Sequence, residues 1–193
     1  GWLGESRLRR LSAMAKSKKK ARVNVRQATR ADVPALVELN KAAYPTMAED
    51  NVVWGETHLH AHLRIFPQGQ MVAEVEGKIV GMVSSLIVDM GPDPLRQHTW
   101  AGITDSGYFT NHNPEADTLY GADVCVHPDT RGLGVGAALY EARRKLCKEM
   151  NLRRILAGGR LFYYCDYADK YTPEEYAHRV VAGPLRQKTR HRH

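Results

Sequence analysis

The residues of this sequence whose types and spacing are best suited to chemistry form a glycine-rich run. It reads Val-His-Pro-Asp-Thr-Arg-Gly-Leu-Gly-Val-Gly-Ala over residues 126–137. Gly132, Gly134 and Gly136 lack the β-carbon that would keep a ligand away from the backbone, and Arg131 adds a fixed positive charge. Because a helix N-terminus has unpaired N–H groups and a partial positive charge, such a run at a helix start accepts anions readily. We therefore predict that the run binds a pyrophosphate.

The elements on either side place this run between a strand and a helix. Residues 119–127 read as a strand, and residues 134–150 have the periodicity of an amphipathic helix. The apolar stripe of the helix contains Val135, Leu139, Leu146 and Met150, and its basic side contains Arg143, Arg144, Lys145 and Lys148. We expect the basic side to be solvated and the run to lie at the helix N-terminus.

The remaining elements predict an α/β domain with a mixed, mostly antiparallel sheet flanked by helices. Strands are expected at 23–27, 71–75, 78–88 and 154–158, and helices at 29–43, 56–66 and 172–181. Glu76-Gly77 is a two-residue loop of the type that closes an antiparallel hairpin. The long segment 89–117 is rich in Gly, Pro, Asp and Asn and is a candidate substrate-facing insertion.

The glycine-rich run and the strand before it resemble the signature of the GNAT acetyltransferase superfamily. Arg131, Gly134 and Gly136 match the family's loop, and Val124, Val126 and Pro128 match its central strand and exit. The resemblance implies a GNAT-like sheet, acetyl-CoA as cosubstrate and direct transfer of the acetyl group to an amine. It also implies that the backbone of Val124, Cys125 and Val126 holds the pantetheine arm. The pyrophosphate would be bound by N–H groups of Arg131, Gly132, Leu133, Gly134, Val135, Gly136 and Ala137.

A narrower resemblance lies towards the C-terminus. Gly158-Gly-Arg160 and the segment 171–177 are similar to the acetyltransferase domain found fused ahead of a nitrilase-like carbon-nitrogen hydrolase. Similar acetyltransferases continue with two further strands, whereas only polar, basic residues follow the last helix here. We therefore expect a truncated fold whose C-terminal strands are missing, with an exposed sheet edge that pairs with a second copy or a partner domain.

Two rival interpretations are weaker. Residues 132–137 also satisfy the dinucleotide fingerprint Gly-x-Gly-x-x-Gly/Ala, but five residues separate them from the strand, and Leu152-Arg-Arg154 stands where an acidic ribose ligand is required. His58, His60 and His62 suggest a metal site, but no acidic residue stands beside them as in His-Glu-x-x-His. We predict solvated histidines and no metal.

The chemistry implied by the resemblance requires a base and an acid. Asp123 is the preferred base because it lies on the central strand, and Asp117 is the alternative. Tyr171 is the candidate acid for the leaving thiolate, as implied by similar enzymes. A backbone N–H near Cys125 or Val126 would polarise the thioester, and Cys125 is disfavoured as a nucleophile because no partner histidine can be assigned.

Composition limits the remaining possibilities. The 193 residues carry a formal net charge of +7, but twelve of the 28 basic side chains lie in residues 1–22 and 183–193. We expect a basic disordered leader over 1–21, an acetyltransferase domain over 22–182 and a basic tail over 183–193, with nucleic-acid binding disfavoured. The longest apolar run is too short to span a membrane, and three unpaired cysteines favour a reducing cytoplasm.

The acceptor is left open by the sequence. An amine-bearing small molecule or peptide is expected, and the mildly acidic body favours a cationic amine. A different functional class also stays open, namely a catalytically weak or inactive module of the same fold that binds acyl-CoA or a partner protein.

Overall fold

The computed structural model describes residues 22–49, 53–159, 161 and 163–183. The expected leader over 1–21 lies outside the described residues, as does the expected tail apart from Gly183.

Five strands form one sheet in sequence order. They are β1 (Val23–Gln27), β2 (Gln70–Val75), β3 (Lys78–Val88), β4 (Thr118–Val126) and β5 (Arg154–Ala157). The first four strands are paired antiparallel, and β5 pairs in parallel with β4. The predicted mixed, mostly antiparallel α/β sheet is therefore confirmed.

Helices of the same compact unit cover both faces of this sheet. The helices of the described residues are α1 (Val33–Ala43), α2 (Pro45–Glu49), α3 (Glu56–Ile65), α4 (Trp100–Thr104), α5 (Val135–Glu149) and, outside that unit, α6 (Pro173–Val181). On one face, side chains of α1 and α3 pack with Val72, Met82 and Leu86 of the sheet. On the other face, Val135 and Leu139 of α5 pack with a second set of strand residues. Apolar burial on the two faces fixes α5, and with it the glycine-rich run, at the end of β4.

The hairpin between β2 and β3 forms as predicted. Glu76 and Gly77 have φ values of 51° and 76°, so both central residues are left-handed. A two-residue turn of this hand matches the twist of antiparallel strands, which is why Glu-Gly between two apolar runs is a reliable signal.

The described residues form two compact units, with the boundary between Ala157 and Gly158. The described part of the second unit contains a 3-10 turn at Tyr164–Asp166 and helix α6. Thr172 caps α6 by accepting from the N–H of Glu175, whose side chain accepts in turn from the N–H of Thr172. No strand lies between 158 and 183 among the residues described, and the predicted absence of C-terminal strands stays a prediction.

No helix within the described ranges has both the length and the apolar character needed to cross a membrane.

Candidate active site

The glycine-rich run forms the connection between β4 and α5. A 3-10 turn at Pro128–Thr130 follows β4, and Gly134 is the N-cap residue of α5. The first N–H groups of α5 have no partner within the helix, and no side chain caps them. Arg131 and Leu133 are exposed at the same place. The predicted site residues from 131 to 137 are therefore brought together at one helix N-terminus, which suits a bound anion.

Two glycines of the run are required by the backbone. Gly132 and Gly134 have φ values of +83° and +84°, a region that other residues enter only with strain. A β-carbon at either position would meet no atom within 4 Å. Their surroundings are therefore open, and backbone geometry rather than crowding selects glycine.

Gly136 is glycine for a different reason. Its backbone is helical, and a β-carbon there would approach only Val126 Cγ2, at an ordinary 4.0 Å. Gly81 differs, since a β-carbon there would lie 2.7 Å from Val135 Cγ1. Glycine costs roughly 0.5–1 kcal/mol relative to alanine within a helix. Nothing inside the described protein requires that cost at Gly136, so space for a ligand is the explanation that fits the site.

The second half of β4 has an open edge. β5 pairs only with Thr118–Gly121 of β4, and no other described strand pairs with the β4 residues that follow on this side. His127 N–H donates to Val80 O at 2.8 Å. Because hydrogen-bonded and non-hydrogen-bonded pairs alternate in an antiparallel ladder, Val124 and Val126 direct their backbone groups away from β3.

This alternation separates the three residues predicted to hold the pantetheine arm. The backbone groups of Val124 and Val126 face the open edge, whereas those of Cys125 face its ladder partner Met82. Of the two positions expected to supply an oxyanion donor, Val126 is therefore the one whose N–H is available.

Asp123 lies on β4 beside the open edge. Its carboxylate Oδ1 accepts a hydrogen bond from the Tyr44 hydroxyl at 2.7 Å, and the same hydroxyl lies 3.1 Å from Val124 O. Tyr44 follows α1 directly and precedes Pro45, which disfavours continuation of the helix through Tyr44. The structure thus joins the predicted base to a tyrosine 79 residues away that the sequence analysis did not find.

Asp117 occupies a different place. It lies before the first residue of β4, where it accepts from Thr118 Oγ1 at 2.7 Å and pairs with Arg154 at 3.0 Å. These bonds hold the pKa of Asp117 below its ordinary value, with the Thr118 hydroxyl the larger cause. A carboxylate tied at the opposite end of β4 from the run is a poor candidate for the base.

Cys125 is buried in the core on the α1 face, with 3% of its surface exposed. Burial raises the pKa of its thiol well above the ordinary value, and the nearby Asp123 carboxylate adds to the effect. The thiolate is therefore strongly disfavoured, which argues against Cys125 as a nucleophile.

Tyr171, the predicted acid, lies in the second unit. Its ring stacks with Tyr167 at 6.3 Å, and the Arg179 guanidinium lies 4.5 Å from its centroid. Its role as an acid stays a prediction.

The histidines of α3 are not all solvated, and the expectation that they are is wrong for His62. Its side chain is 1% exposed, stacked on Phe109 at 3.7 Å, and its Nε2 lies 2.6 Å from Gly107 O. Since a carbonyl only accepts, Nε2 carries the hydrogen and Nδ1 is left without a partner. His58 is half-buried against Tyr108, and only His60 is exposed.

His62 is buried because the insertion that precedes β4 covers it. Residues 105–109 of that insertion fold over α3, and Trp54 and Phe109 enclose the His62 ring. These contacts join segments about 45 residues apart, as the separation of His62 and Gly107 shows. Among the residues that the structure describes, no group of three or more His, Cys, Asp or Glu side chains could hold a metal ion.

The same insertion forms a cleft with Val88 at the end of β3. Its volume is about 470 Å³, and it is lined by Val88, Asp89, Arg96, His98, Thr99, Gly102, Ile103, Asn111 and Asn113. Trp100 Nε1 donates to Ala122 O at 2.9 Å, and His98 Nε2 lies 3.3 Å from the Tyr120 hydroxyl. The cleft-forming loop is therefore attached to β4 immediately before Asp123.

Comparison with known proteins gives a consistent picture. The model of the acetyltransferase (GNAT) family matches residues 33–161. The chain is 42% identical over 157 residues to the probable hydrolase YhcX of Bacillus subtilis, and 35% identical over 161 residues to the uncharacterized N-acetyltransferase YkwB of the same organism. These matches cover 81% and 83% of the chain. The chain spans 30% of the length of YhcX and 71% of that of YkwB.

Solved structures share the fold at lower identity. The GNAT-like decarboxylase GphF in complex with isobutyryl-CoA has a TM-score of 0.65 at 21% identity, covering 80% of this chain and 75% of that one. The loading GNATL domain of CurA from Lyngbya majuscula has a TM-score of 0.63 at 22% identity, covering 79% and 70%. These likenesses concern the fold.

Proposed function

The chain belongs to the acetyltransferase (GNAT) family, and on this premise we propose that it transfers an acetyl group from acetyl-CoA to an amine acceptor by direct attack. The observation that carries the proposal is the joining of two features: an uncapped helix N-terminus with open glycines at 132, 134 and 136, and the open edge of β4. The first suits a pyrophosphate, and the second suits an extended chain with amide groups, such as pantetheine.

The residues present fit acetyl-CoA. N–H groups between Arg131 and Ala137 would bind the pyrophosphate, while the backbone of Val124 and Val126 would pair with the pantetheine amides as an added strand would. Bound in this way, acetyl-CoA supplies an acetyl group activated as a thioester. Of the two positions expected to polarise its carbonyl, Val126 is the one whose N–H faces the open edge and could donate to the developing oxyanion.

Asp123 would take the proton of the attacking amine. An amine with the ordinary lysine pKa of 10.4 is neutral only about once in 2,500 molecules at pH 7, a penalty of roughly 4.6 kcal/mol. The hydrogen bond from Tyr44 holds the Asp123 carboxylate in one direction beside the open edge. Proton removal by an oriented carboxylate, directly or through one water, offsets part of that penalty. Tyr171 stays the proposed acid for the leaving thiolate.

The acceptor would enter from the side of the insertion. The cleft there combines the Asp89 carboxylate, the Arg96 guanidinium and two asparagine amides with apolar Val88 and Ile103. Its polar lining suits a hydrophilic amine of small-molecule or peptide size, and its loop contacts β4 at Ala122.

Thiol release tests this function. The full chain is incubated with acetyl-CoA and a panel of primary amines, and free CoA thiol is followed with a thiol reagent. We expect amine-dependent release that is lost in Asp123→Asn while calorimetric binding of acetyl-CoA is retained. Binding without any amine-dependent release would favour the inactive acyl-CoA-binding module, and absence of binding would contradict both.

A further inference from the structure

Arg143 lies in the protein interior, contrary to its expected place on the solvated side of α5. Only 1% of its surface is exposed, whereas the neighbouring Arg144 is exposed and pairs with Glu141 at 2.7 Å. The guanidinium passes from α5 to the sheet, where β3 meets β4. One arginine of the basic run therefore has an internal task.

The guanidinium connects both strands at an irregular point of the sheet. Its Nε donates to Ser85 Oγ at 3.0 Å, and its Nη2 donates to Ser84 O at 3.2 Å and Asp123 O at 2.7 Å. Ser84 pairs with Asp123 but Ser85 pairs with Gly121, so Ala122 is the extra residue of a β-bulge. Arg143 thus bonds directly to the residues that flank the bulge.

Neighbouring residues are small where the guanidinium lies. A β-carbon on Gly121 would come within 2.7 Å of Arg143 Nη1 and 3.3 Å of the Ala157 β-carbon. Gly121 has no positive φ, so its backbone does not require glycine. The space left by Gly121 and the hydroxyl supplied by Ser85 together form a socket for this side chain.

The socket holds a positive charge whose direct hydrogen-bond partners are uncharged. Within the described part of the chain, Arg143 makes no ion pair, and its acceptors are two carbonyls and a hydroxyl. Burial lowers the pKa of Arg143, an effect that Tyr140 and Asp123 partly oppose. Desolvation of a buried cation is unfavourable, and apolar side chains of similar volume often stabilise a core better. Fold stability alone is therefore a poor explanation for an arginine here.

We propose that Arg143 is a positioning residue of the acetyl-transfer site, holding the β4 bulge at Ala122 so that Asp123 faces Tyr44 and the edge of β4 stays open. The proposal rests on the proposed function, because it assigns a role in that reaction.

The bulge matters because it determines to which face of the sheet each following side chain of β4 points. A shift of one residue in strand register moves every following side chain to the opposite face of the sheet. Without the extra residue at Ala122, Asp123 would point to the α5 face, and Val124 and Val126 would exchange their open-edge orientation with Cys125. Bonds from one rigid guanidinium to Ser84 O and Asp123 O oppose such a shift, because they fix both strands beside the bulge.

The test compares Arg143→Met, Arg143→Lys and the control Arg144→Met in the full chain. Methionine fills the socket without hydrogen bonds, and lysine keeps the charge but not the planar, multidentate geometry. With acetyl-CoA and an amine that the wild type accepts, we expect Arg143→Met to lose about 100-fold in kcat through misplacement of reacting groups. The kcat of Arg143→Lys should lie between that of Arg143→Met and that of the wild type, and the kcat of Arg144→Met should equal that of the wild type.

Two further readouts distinguish positioning from general damage. The KM for acetyl-CoA should rise by a smaller factor than kcat falls, because the pantetheine contacts at Val124 and Val126 are disturbed while the pyrophosphate loop is untouched. Amide hydrogen exchange of Arg143→Met should accelerate in the peptide covering 118–127. It should not accelerate in the hairpin 70–88, except near Ser84 and Ser85. A kcat equal to that of the wild type, or equal losses in Arg143→Met and Arg144→Met, would overturn the proposal.

A milder variant keeps the test decisive if Arg143→Met does not fold. Ser85→Ala removes one acceptor of the guanidinium while leaving the strand pairing and the charge in place. It should lower kcat in the same direction by a smaller factor, and an unchanged kcat in both Ser85→Ala and Arg143→Lys would overturn the inference. A wild type without amine-dependent turnover would instead contradict the proposed function and the inference together.

Discussion

Gly136 is the residue of the loop at which a substitution tests ligand binding without straining the backbone. Substitution at Gly132 or Gly134 forces a left-handed backbone on a residue with a β-carbon, at about 1–2 kcal/mol. Gly136 has no such restriction, and its nearest contact would be ordinary. A substitution at this position therefore enters the ligand space without forcing a left-handed backbone.

We predict that Gly136→Leu weakens acetyl-CoA binding by at least about tenfold, since a side chain occupies the space over the helix N-terminus. Gly136→Ala is the matched control and should retain binding with equal or slightly higher stability, by roughly 0.5–1 kcal/mol. Calorimetric titration and urea unfolding measure the two quantities. Equal affinity of the leucine variant and the wild type would contradict a pyrophosphate site here.

Asp123 and Tyr44 act as a pair in the proposed reaction. Asp123→Asn should lower kcat by about 100-fold or more, the usual effect of removing a general base. Tyr44→Phe keeps the ring and removes the hydroxyl bonded to Asp123 at 2.7 Å, so a smaller loss is expected. Because Tyr44 works through Asp123, the double variant should be no slower than Asp123→Asn, as measured by steady-state kinetics. Strictly additive losses would show that the two residues act independently.

At this scale the sequence predicts local features and misses distant ones. The glycine-rich run is contiguous, so its spacing alone predicts a loop at a helix start. Tyr44 and Arg143 acquire their roles from partners 79 and 58 residues away, and neither separation leaves a periodic signal. Arg143 also stands within a basic run that is typical of a solvated helix face. Only the pairing of β3 with β4 shows that Ser85 and Gly121 provide its socket.

A neutral histidine, His62, connects helix α3 to the insertion before β4. His62 Nε2–H donates to Gly107 O, and burial lowers the pKa of His62 to about 4. The ordinary pKa is 6.5, so the unfolded chain binds the proton more tightly than the folded one. The stabilising effect is complete above pH 6.5 and is lost as the pH falls from 6.5 towards 4.

We predict that replacing His62 by phenylalanine reduces the loss of stability between pH 6.5 and pH 4.5. The wild type should lose on the order of 2–3 kcal/mol over this range through His62. His60→Gln, on the exposed side of α3, is the control and should follow the wild type. Urea unfolding across the pH range measures the slopes. A His62→Phe slope equal to that of the wild type would show that His62 is not the titrating group.

Element boundaries follow from the sequence where the signals are strong. β3 and the β2–β3 turn form where predicted, and α5 differs from its predicted range by one residue at each end. α4 was not predicted, since five helical residues within a glycine- and proline-rich segment have no periodicity to detect. Its Thr99 cap and the Trp100 bond to Ala122 O stabilise it from outside the helix.

At the scale of the whole molecule, the observed sheet is consistent with the matched family. Neither of them shows what lies beside this domain. The fold requires only that β4 end at the run and that α5 cover one face, which hydrophobic pattern and loop chemistry predict. The chain spans 30% of the length of YhcX, so the match concerns this domain and not the whole of that relative. Pairing of the sheet edge with a second copy or another domain stays a prediction.

Transfer of an acetyl group from acetyl-CoA to an amine is the activity proposed for this protein. The most direct measurement uses the full chain with acetyl-CoA labelled with carbon-13 in the acetyl group and a mixture of polyamines, amino acids and lysine-containing peptides. Mass spectrometry then follows the label. We predict that at least one amine gains the labelled acetyl group with release of an equal amount of CoA, and that Asp123→Asn and Gly136→Leu each suppress it. A chain that binds acetyl-CoA but neither labels an amine nor releases thiol would contradict acetyl transfer.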